Sequence, residues 1–200
     1  MVGGGNNEFV KFKKYYENSL FTYILGRALT DCERACFASH FLLWQKCIEE
    51  NEPIIVLEDD LKFSDEFNEN TLNLILNSKY DYVRLYKLFD KKIYKINNNF
   101  YKTYKKLSGA QAYLLKPNAA KKFIKYARYW VYPVDDYMDT FGLHGVLTIL
   151  YQPLLVSENY SESTILHKDY NVLVVKKITR EIFKSLIFIR TLFFRLFYKY

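Results

Sequence analysis

The sequence predicts an α/β domain, in which a sheet is flanked by helices, followed by an amphipathic C-terminal helix. Thr30 and Glu33 form a capping box, which opens a helix. Residues 54–57 are a short apolar run between a proline and three acidic residues, a pattern typical of a buried parallel strand. Pro117 follows another apolar run and suits the first turn of a helix. Helices that alternate with short apolar strands indicate an α/β fold.

The remaining elements are predicted from hydrophobic spacing, capping residues and prolines. The first long helix should end near Asn51, because Pro53 cannot continue it. Ser64 or Asp65 should cap a second helix that ends near Asn77. The pattern further predicts helices at residues 11–16 and 118–129, a short strand or helical turn at 21–25, strands at 82–88, 110–115, 146–151 and 154–156, loops or an edge hairpin at 91–104, and a short acidic helix within 133–139.

Positive charge is concentrated at the C-terminus. The chain has 200 residues and a formal net charge of +7. Residues 176–200 contain seven basic residues and one acidic residue, so the rest of the chain is close to neutral. This distribution argues against nucleic-acid binding, which uses a basic patch on the folded domain. We therefore expect a folded domain over residues 1–168 and a basic tail over residues 169–200.

The cysteines and the N-terminus predict a cytoplasmic protein. Cys32, Cys36 and Cys47 form no paired framework, which fits a reducing compartment. No signal peptide is visible, and no apolar run approaches the roughly 20 residues that span a bilayer. Cys32, Cys36 and His40 recur every four residues, but structural zinc sites use closer cysteine pairs and four ligands. This spacing therefore does not predict a zinc site.

The acidic triplet of Glu58, Asp59 and Asp60 predicts a divalent-metal site. In an extended chain Glu58 and Asp60 point to the same side, at the carboxyl end of a strand where ligands bind in α/β sheets. Paired carboxylates suit Mg²⁺ or Mn²⁺, which also bind substrate phosphate oxygens. We expect Asp60 to bind the metal and Glu58 to share contacts with the metal or with the ribose of a nucleotide donor. Asp59 would replace Glu58 if the strand ends one residue earlier. A solvated turn after a strand would show the same residues.

Three blocks of sequence resemble glycosyltransferase family 25. Taken in the family's order between residues 26 and 165, they comprise Leu29-Thr30, Ser39-His40, Trp44-Gln45 and residues 55–60, then residues 108–117 and 119–122, then residues 133–139. The resemblance implies a GT-A-like fold and a UDP-sugar donor, and transfer of a hexose, most often galactose, with inversion. The acceptor it implies is lipooligosaccharide or lipopolysaccharide, and residues 1–168 would form the catalytic domain. Members normally begin with a hydrophobic strand and an Asn-Leu, Arg-rich motif, and nothing before Gly26 matches it. We therefore expect part of the N-terminal strand region to be missing.

The resemblance also suggests roles for residues in the second and third blocks. An inverting transfer needs a carboxylate to remove the acceptor's proton, and Asp135 and Asp136 are the candidates for this base. The alternative for both is that they are acids favoured at a helix N-terminus. Gly109 could let the backbone approach the donor sugar, and Gln111 could bind its hydroxyls. Their alternative is a strand-entry turn.

His40 has two interpretations as well. It lies on the same helix face as Cys36 and Trp44, where most histidines are core residues. Its place in the first block suggests instead a hydrogen bond to the donor or to the acidic loop.

The tail has the pattern of a helix that lies on an anionic membrane. Its apolar residues are interrupted by regularly spaced bases, and Lys177, Arg180, Lys184, Arg195 and Lys199 fall within one third of a helix circumference. Residues 176–200 would then hold the enzyme at the inner face of a bacterial inner membrane, close to a lipid-linked acceptor. The alternative is a helix packed on the domain or on a partner.

Two other functions compete with an active glycosyltransferase. A truncated, non-catalytic, membrane-associated remnant would keep the core but lose the donor site, and binding of a UDP-sugar would distinguish the two. A metal-dependent phosphohydrolase could also use the acidic triplet, but no clear nucleophile follows the strand.

Overall fold

The computed structural model describes residues 12–16, 28–158 and 174–197. The element expected at residues 21–25 and the domain boundary expected after residue 168 lie outside the described residues. The helices are α1 (Lys13–Tyr16), α2 (Asp31–Glu50), α3 (Glu69–Leu76), α4 (Pro117–Tyr126), α5 (Val134–Met138), α6 (Phe141–His144) and α7 (Val174–Phe197). The strands are β1 (Ile54–Leu57), β2 (Leu61–Phe63), β3 (Tyr82–Arg84), β4 (Tyr94–Lys95), β5 (Phe100–Thr103), β6 (Ala112–Leu115), β7 (Thr148–Tyr151) and β8 (Val156–Glu158).

Six of these strands form one mixed sheet, in the order β1-β6-β3-β7-β5-β4. Strands β3 and β7 are parallel, and the other neighbouring pairs are antiparallel. Strands β2 and β8 form a separate antiparallel pair. The predicted fold class is confirmed: a mixed sheet flanked by helices with a C-terminal helix, which is consistent with a GT-A-like fold.

Strand β1 differs from the expected buried parallel strand. It pairs antiparallel with β6, and it is the first strand in the order of the described sheet. Of its four residues only Val56 is buried. The run is apolar on both sides because Ile54 and Val56 pack towards one hydrophobic cluster and Ile55 towards another. Because both faces of this mixed sheet are covered, β1 is apolar on both sides, which is the pattern that we expected of a buried parallel strand.

Local signals set the ends of α2 correctly and the start of α3 incorrectly. The Thr30 hydroxyl accepts from the Glu33 amide at 3.2 Å, while the Glu33 carboxylate accepts from the Thr30 amide at 2.8 Å. Helix α2 ends at Asn51, which adopts a left-handed conformation. The cap of α3 is Asn68 rather than Ser64 or Asp65, because the Ser64 hydroxyl instead donates to the carbonyl of Leu155 at 3.1 Å.

Aromatic side chains fill the core between α2, α4, α5 and the sheet. The Trp130 ring stacks on Phe37 with centroids 4.6 Å apart, and Phe123 lies 5.0 Å from Trp44. Alternation along β6 sends Tyr113 into this cluster and its neighbours Ala112 and Leu114 into the cluster on the opposite face. Both faces of the sheet are therefore covered, and the candidate site lies where the covering helix α2 meets the ends of β1 and β6.

One face of helix α7 packs against the domain. Phe194 contacts Phe141 of α6 with ring centroids 5.7 Å apart, and Phe183 contacts Tyr132 at 6.2 Å. Gly142 allows the close approach: a Cβ atom there would lie 2.3 Å from the Thr191 hydroxyl of α7. The alternative of packing on the domain is therefore correct for this face of the helix.

The opposite face of α7 is apolar and exposed. Its large side chains are between 43% and 76% exposed: Ile178, Ile182, Leu186, Phe188, Ile189, Leu192, Phe193, Leu196 and Phe197. In the part of the chain that the structure describes, no helix has the length and apolarity needed to cross a membrane.

Candidate functional site

A chain of hydrogen bonds leads from the aromatic core to the acidic triplet. The Trp44 Nε1–H group of α2 donates to the hydroxyl of Tyr113 on β6 at 3.2 Å. The same hydroxyl lies 2.7 Å from Nδ1 of His40. The other ring nitrogen of His40, Nε2, lies 3.4 Å from Oε1 of Glu58. His40 is therefore held on both sides, and it is buried while Glu58 is partly exposed.

This geometry combines the two interpretations of His40. It packs as a core residue, and it also contacts the first carboxylate of the acidic loop. Tyr113 is a site residue that the sequence analysis missed. Its position in an apolar strand gives no local signal, because the partner atom lies 73 residues away.

The three sequence blocks meet at the segment that contains Gly109 and Gln111. The end of β1 adjoins the start of β6 because the two strands are antiparallel. The amide of Glu58 accordingly donates to the carbonyl of Gln111 at 2.8 Å. On the other side the amide of Gly109 donates to Oδ2 of Asp135 at 3.0 Å. The segment thus connects the acidic triplet directly to the acidic helix α5.

Asp135 and Asp136 differ in how much of their carboxylate is engaged. Both oxygens of Asp136 are bound: Oδ2 accepts from Lys106 at 2.8 Å and Oδ1 from the hydroxyl of Ser108 at 3.3 Å. Asp135 accepts at Oδ2 from the amide of Gly109. Both residues are partly buried. Asp136 therefore holds the second block in place, whereas Asp135 is less fully engaged.

Asp139 has a structural role that the sequence did not reveal. It forms an ion pair of 2.9 Å with Arg84, and neither side chain has any exposed surface. Its Oδ2 atom also accepts from the amides of Leu107 and Ser108 at 2.8 and 2.9 Å. The nearby Asp139 carboxylate raises the pKa of Arg84, which therefore remains charged despite its burial. This pair fixes the loop that leads to Gly109.

The chain turns immediately after β1, so the acidic triplet is not extended. Asp59 and Asp60 form the turn, and strand β2 begins at Leu61. The expected alternation of Glu58 and Asp60 along one strand is therefore wrong. Asp59 is exposed, whereas the Oδ1 atom of Asp60 is buried and has no hydrogen-bond partner among the described residues. A buried carboxylate oxygen without a partner fits a divalent-metal ligand, and Glu58 offers a second carboxylate close by in the chain.

Gly109 is required by its local packing. Its φ angle is +74°, and a Cβ atom there would lie 2.4 Å from Oε1 of Gln111 and 2.8 Å from the ring of Tyr86. The same Oε1 atom of Gln111 is buried, with no partner in the described part of the chain. Gln111 thus presents a polar atom that could accept a hydrogen bond from a ligand hydroxyl.

Cys36 lies one helical turn before His40 and completes a mixed group of side chains. One ligand atom each of Cys36, His40 and Glu58 lies within 4.8 Å of the other two. Cys36 is a free cysteine that is exposed to solvent. Desolvation and the negative charges of Glu58, Asp135 and Glu33 raise the pKa of the thiol to about 12.

His144 lies outside the site. It is buried, its Nε2 atom donates to the carbonyl of Tyr137 at 3.0 Å, and its Nδ1 atom accepts from the amide of Val146. Burial lowers its pKa to about 3. It is thus a neutral core residue.

Comparison with known proteins includes two short matches, both to proteins of Haemophilus influenzae. One is 51% identical over 39 residues to the lipooligosaccharide biosynthesis protein lic2B, covering 19% of this chain and 15% of that protein. The other is 51% identical over 37 residues to the lipooligosaccharide biosynthesis protein lex-1 of strain Rd, covering 18% of this chain and 12% of that protein. Each match thus spans less than one fifth of its relative.

A family-wide comparison covers far more of the chain. The sequence model of glycosyltransferase family 25 (LPS biosynthesis protein) matches residues 3–138. The match begins ahead of Gly26, where the first of the three sequence blocks begins, and it ends before residue 165. The matched range includes His40, the acidic triplet, the Gly109–Gln111 segment and both aspartates of α5. With this match over more than half of its length, the chain belongs to glycosyltransferase family 25.

Proposed function

We propose that the chain transfers a hexose, galactose first among the candidates, from a UDP-sugar to a lipooligosaccharide or lipopolysaccharide acceptor. The observation that carries this proposal is the meeting of the three sequence blocks at one place. The backbone amide of Glu58 is bonded to Gln111 and the carboxylate of Asp135 to Gly109, so two acidic parts of the chain adjoin one short segment. The names of the Haemophilus relatives favour a lipooligosaccharide acceptor.

Asp60 and Glu58 would hold a divalent cation, Mn²⁺ or Mg²⁺, that binds the diphosphate of the donor. The buried, unpartnered Oδ1 atom of Asp60 supports this assignment. When bound, such an ion would neutralise the charge of the departing UDP. Gln111 would accept a hydrogen bond from a sugar hydroxyl, and His40 would keep the Glu58 carboxylate in place.

Asp135 is the preferred base for transfer with inversion. A base must accept the proton of the attacking hydroxyl, so it needs a carboxylate oxygen that points to the acceptor. The two oxygens of Asp136 are bound by Lys106 and Ser108, so neither is left to accept a proton from the acceptor. Asp135 has only its Oδ2 atom bonded to Gly109 in the described contacts.

Calorimetric titration of UDP-galactose and UDP-glucose tests the donor site. We expect binding with Mn²⁺ and none with EDTA, and we expect Asp60→Asn to abolish the metal-dependent part. Asp65→Asn is the matched control, because it makes the same change of charge at an exposed position nearby. Failure of a folded protein to bind either donor would favour the non-catalytic remnant. If Asp60→Asn bound the donor like the unaltered protein, the metal assignment would be wrong.

The exposed face of α7 would bind an anionic membrane on the cytoplasmic side of the inner membrane. Large exposed apolar side chains form this face, and the exposed bases Lys177 and Lys184 lie beside it, Lys184 in an ion pair with Glu181. The Cζ atom of Arg195 lies 4.4 Å from the centroid of the Tyr104 ring, so this base is directed towards the domain. A surface location would keep the enzyme near a lipid-linked acceptor.

Liposome sedimentation tests this location. Leu186→Glu should release the protein from anionic vesicles, because it adds a charge to the apolar face. Asn118→Glu adds the same charge at an exposed position on α4 and should leave binding unchanged. Equal binding of both variants would contradict the membrane proposal.

A further inference from the structure

We propose that Cys36, His40 and Glu58 form a site for a thiophilic divalent ion, with Zn²⁺ as the ion that fits best. Cys36 would bind through its sulfur, His40 through Nε2 and Glu58 through one carboxylate oxygen. Zinc sites with three protein ligands keep a fourth position open to water or substrate. The sequence pattern of Cys32, Cys36 and His40 lacked this ligand set, because Glu58 follows β1 and does not lie on helix α2.

The distance between His40 and Glu58 suits two ligands of one ion better than a hydrogen bond. Nε2 and Oε1 are 3.4 Å apart, whereas a charge-assisted N–H···O bond is about 2.7–2.9 Å long. Two nitrogen or oxygen ligands of a tetrahedral ion, at bond lengths of about 2.0–2.2 Å, lie about 3.3–3.6 Å apart. The sulfur of Cys36 lies within 4.8 Å of both, so a small side-chain movement would complete the site.

The surroundings of the group favour a cation. The negative charges of Glu58, Asp135 and Glu33 act on the thiol of Cys36. A divalent cation at this position would lie among these carboxylates, whose negative charges attract it. The soft sulfur ligand distinguishes this group from the Asp60 site, whose oxygen ligand suits a hard ion.

Tyr113 supplies the support that a metal-bound histidine requires. A ligating histidine usually donates its second ring N–H to a fixed acceptor, which orients the ring. The Tyr113 hydroxyl lies 2.7 Å from Nδ1 and has two lone pairs, so it can accept from both His40 and Trp44. The cost is that the phenol hydrogen then loses His40 as its acceptor.

The zinc site would share Glu58 with the proposed donor-metal site, but it does not depend on that function. Zinc binding is measured without nucleotide, so the two proposals can fail separately. If the protein binds zinc but does not bind a UDP-sugar, only the proposed glycosyl transfer is contradicted. If zinc fails and the donor binds, only the present inference is contradicted.

Cobalt substitution in the full chain tests the ligand set. Co²⁺ bound to a cysteine sulfur shows a sulfur-to-metal charge-transfer absorption, which carboxylate and imidazole ligands alone do not produce. We expect this absorption in the unaltered protein and in Cys32→Ser, because Cys32 is exposed one turn earlier and lies outside the group. Cys36→Ser should lose the absorption and bind Zn²⁺ more weakly by at least about 10–100-fold, the range observed when even an outer partner of a ligand is removed.

A second measurement needs no variant. Zn²⁺ should slow alkylation of Cys36 and leave Cys32 unaffected, which mass spectrometry of the labelled peptides resolves.

As a control for the cobalt experiment, circular dichroism shows whether Cys36→Ser is folded. An absorption that persists in folded Cys36→Ser, a spectrum without charge transfer in the unaltered protein, or equal protection of both cysteines would overturn the proposal.

Discussion

Gly142→Ala tests whether helix α7 packs against α6 as the structure shows. The added Cβ atom would lie 2.3 Å from Oγ1 of Thr191 and 2.4 Å from the carbonyl oxygen of Ile187, far inside ordinary contact of 3.4–4 Å. Rotation of Thr191 cannot relieve both contacts, because the second is with a backbone oxygen of α7. The two helices must therefore separate to accommodate the added atom.

The expected cost follows from two opposing effects. Overpacking of this kind costs about 1–3 kcal/mol. Alanine is a better helix former than glycine by about 1 kcal/mol, which partly offsets the cost in α6. Both contacts fall below 3.0 Å, so we take the upper end of that cost. The net loss is then about 2 kcal/mol, which raises the population of undocked α7 by about 30-fold. Separation would also loosen the ring contact between Phe141 and Phe194.

Limited trypsin digestion without lipid measures this population, since cleavage within α7 requires the helix to open. When opening and closing are fast, the cleavage rate follows the open population. We expect faster cleavage at Lys184 and Arg190 in Gly142→Ala, and partial recovery when Thr191→Ala removes one of the two clashes. A cleavage rate equal to that of the unaltered protein would refute the packing of α7 on α6.

Three further predictions concern buried charge, pH and catalysis. Asp139→Asn should lower the free energy of unfolding by about 3–5 kcal/mol, because it leaves Arg84 buried without its counter-charge; a loss below about 1 kcal/mol in denaturant titration would contradict this. His144 has a pKa of about 3 in the folded protein and about 6.5 when unfolded, so its contribution to stability is present above pH 6.5 and lost as the pH falls towards 3. Between these two pH values the free energy of unfolding should change by about 1.4 kcal/mol per pH unit because of His144, and His144→Gln should remove this dependence. An unchanged dependence would mean that His144 is accessible to protons in the folded protein. Asp135→Asn should lower kcat by about 10²–10⁴-fold while donor binding persists, and Asp136→Asn should lower it less; the reverse order would exchange their roles.

The sequence predicted those features that depend on neighbouring residues. The capping box of Thr30 and Glu33 is a local exchange of hydrogen bonds, so its prediction needed no knowledge of the fold. The start of α3 needed more, because Ser64, Asp65 and Asn68 are all good caps. A contact between Ser64 and the chain just before β8, 91 residues away, decided among them.

In the candidate site, too, the sequence predicted local features and missed those that depend on contacts between distant residues. The acidic triplet and the aspartates of α5 were predicted because unusual groups of charges stand out in a sequence. Their hydrogen-bond partners were not, because Tyr113 and Arg84 resemble ordinary strand residues until the fold brings them to His40 and Asp139. The turn at Asp59 also changed the expected geometry, since alternation holds only while a strand continues.

The two explanations considered for the C-terminal helix concern different faces of it. Phe183, Thr191 and Phe194 lie on the face that contacts the domain and are partly buried, whereas Ile182 and Phe193 lie on the opposite face and are more than half exposed. A helix that served only to cover the domain would need one apolar stripe, and its other face would be polar. The second stripe is therefore available, among the described residues, to a separate partner. Residues 174–197 carry six bases and one acid, so a second copy of the helix would meet like charge, whereas an anionic lipid surface would meet opposite charge. If this face binds lipid as proposed, packing on the domain would determine which face meets the lipid and would fix the orientation of the candidate site relative to the membrane.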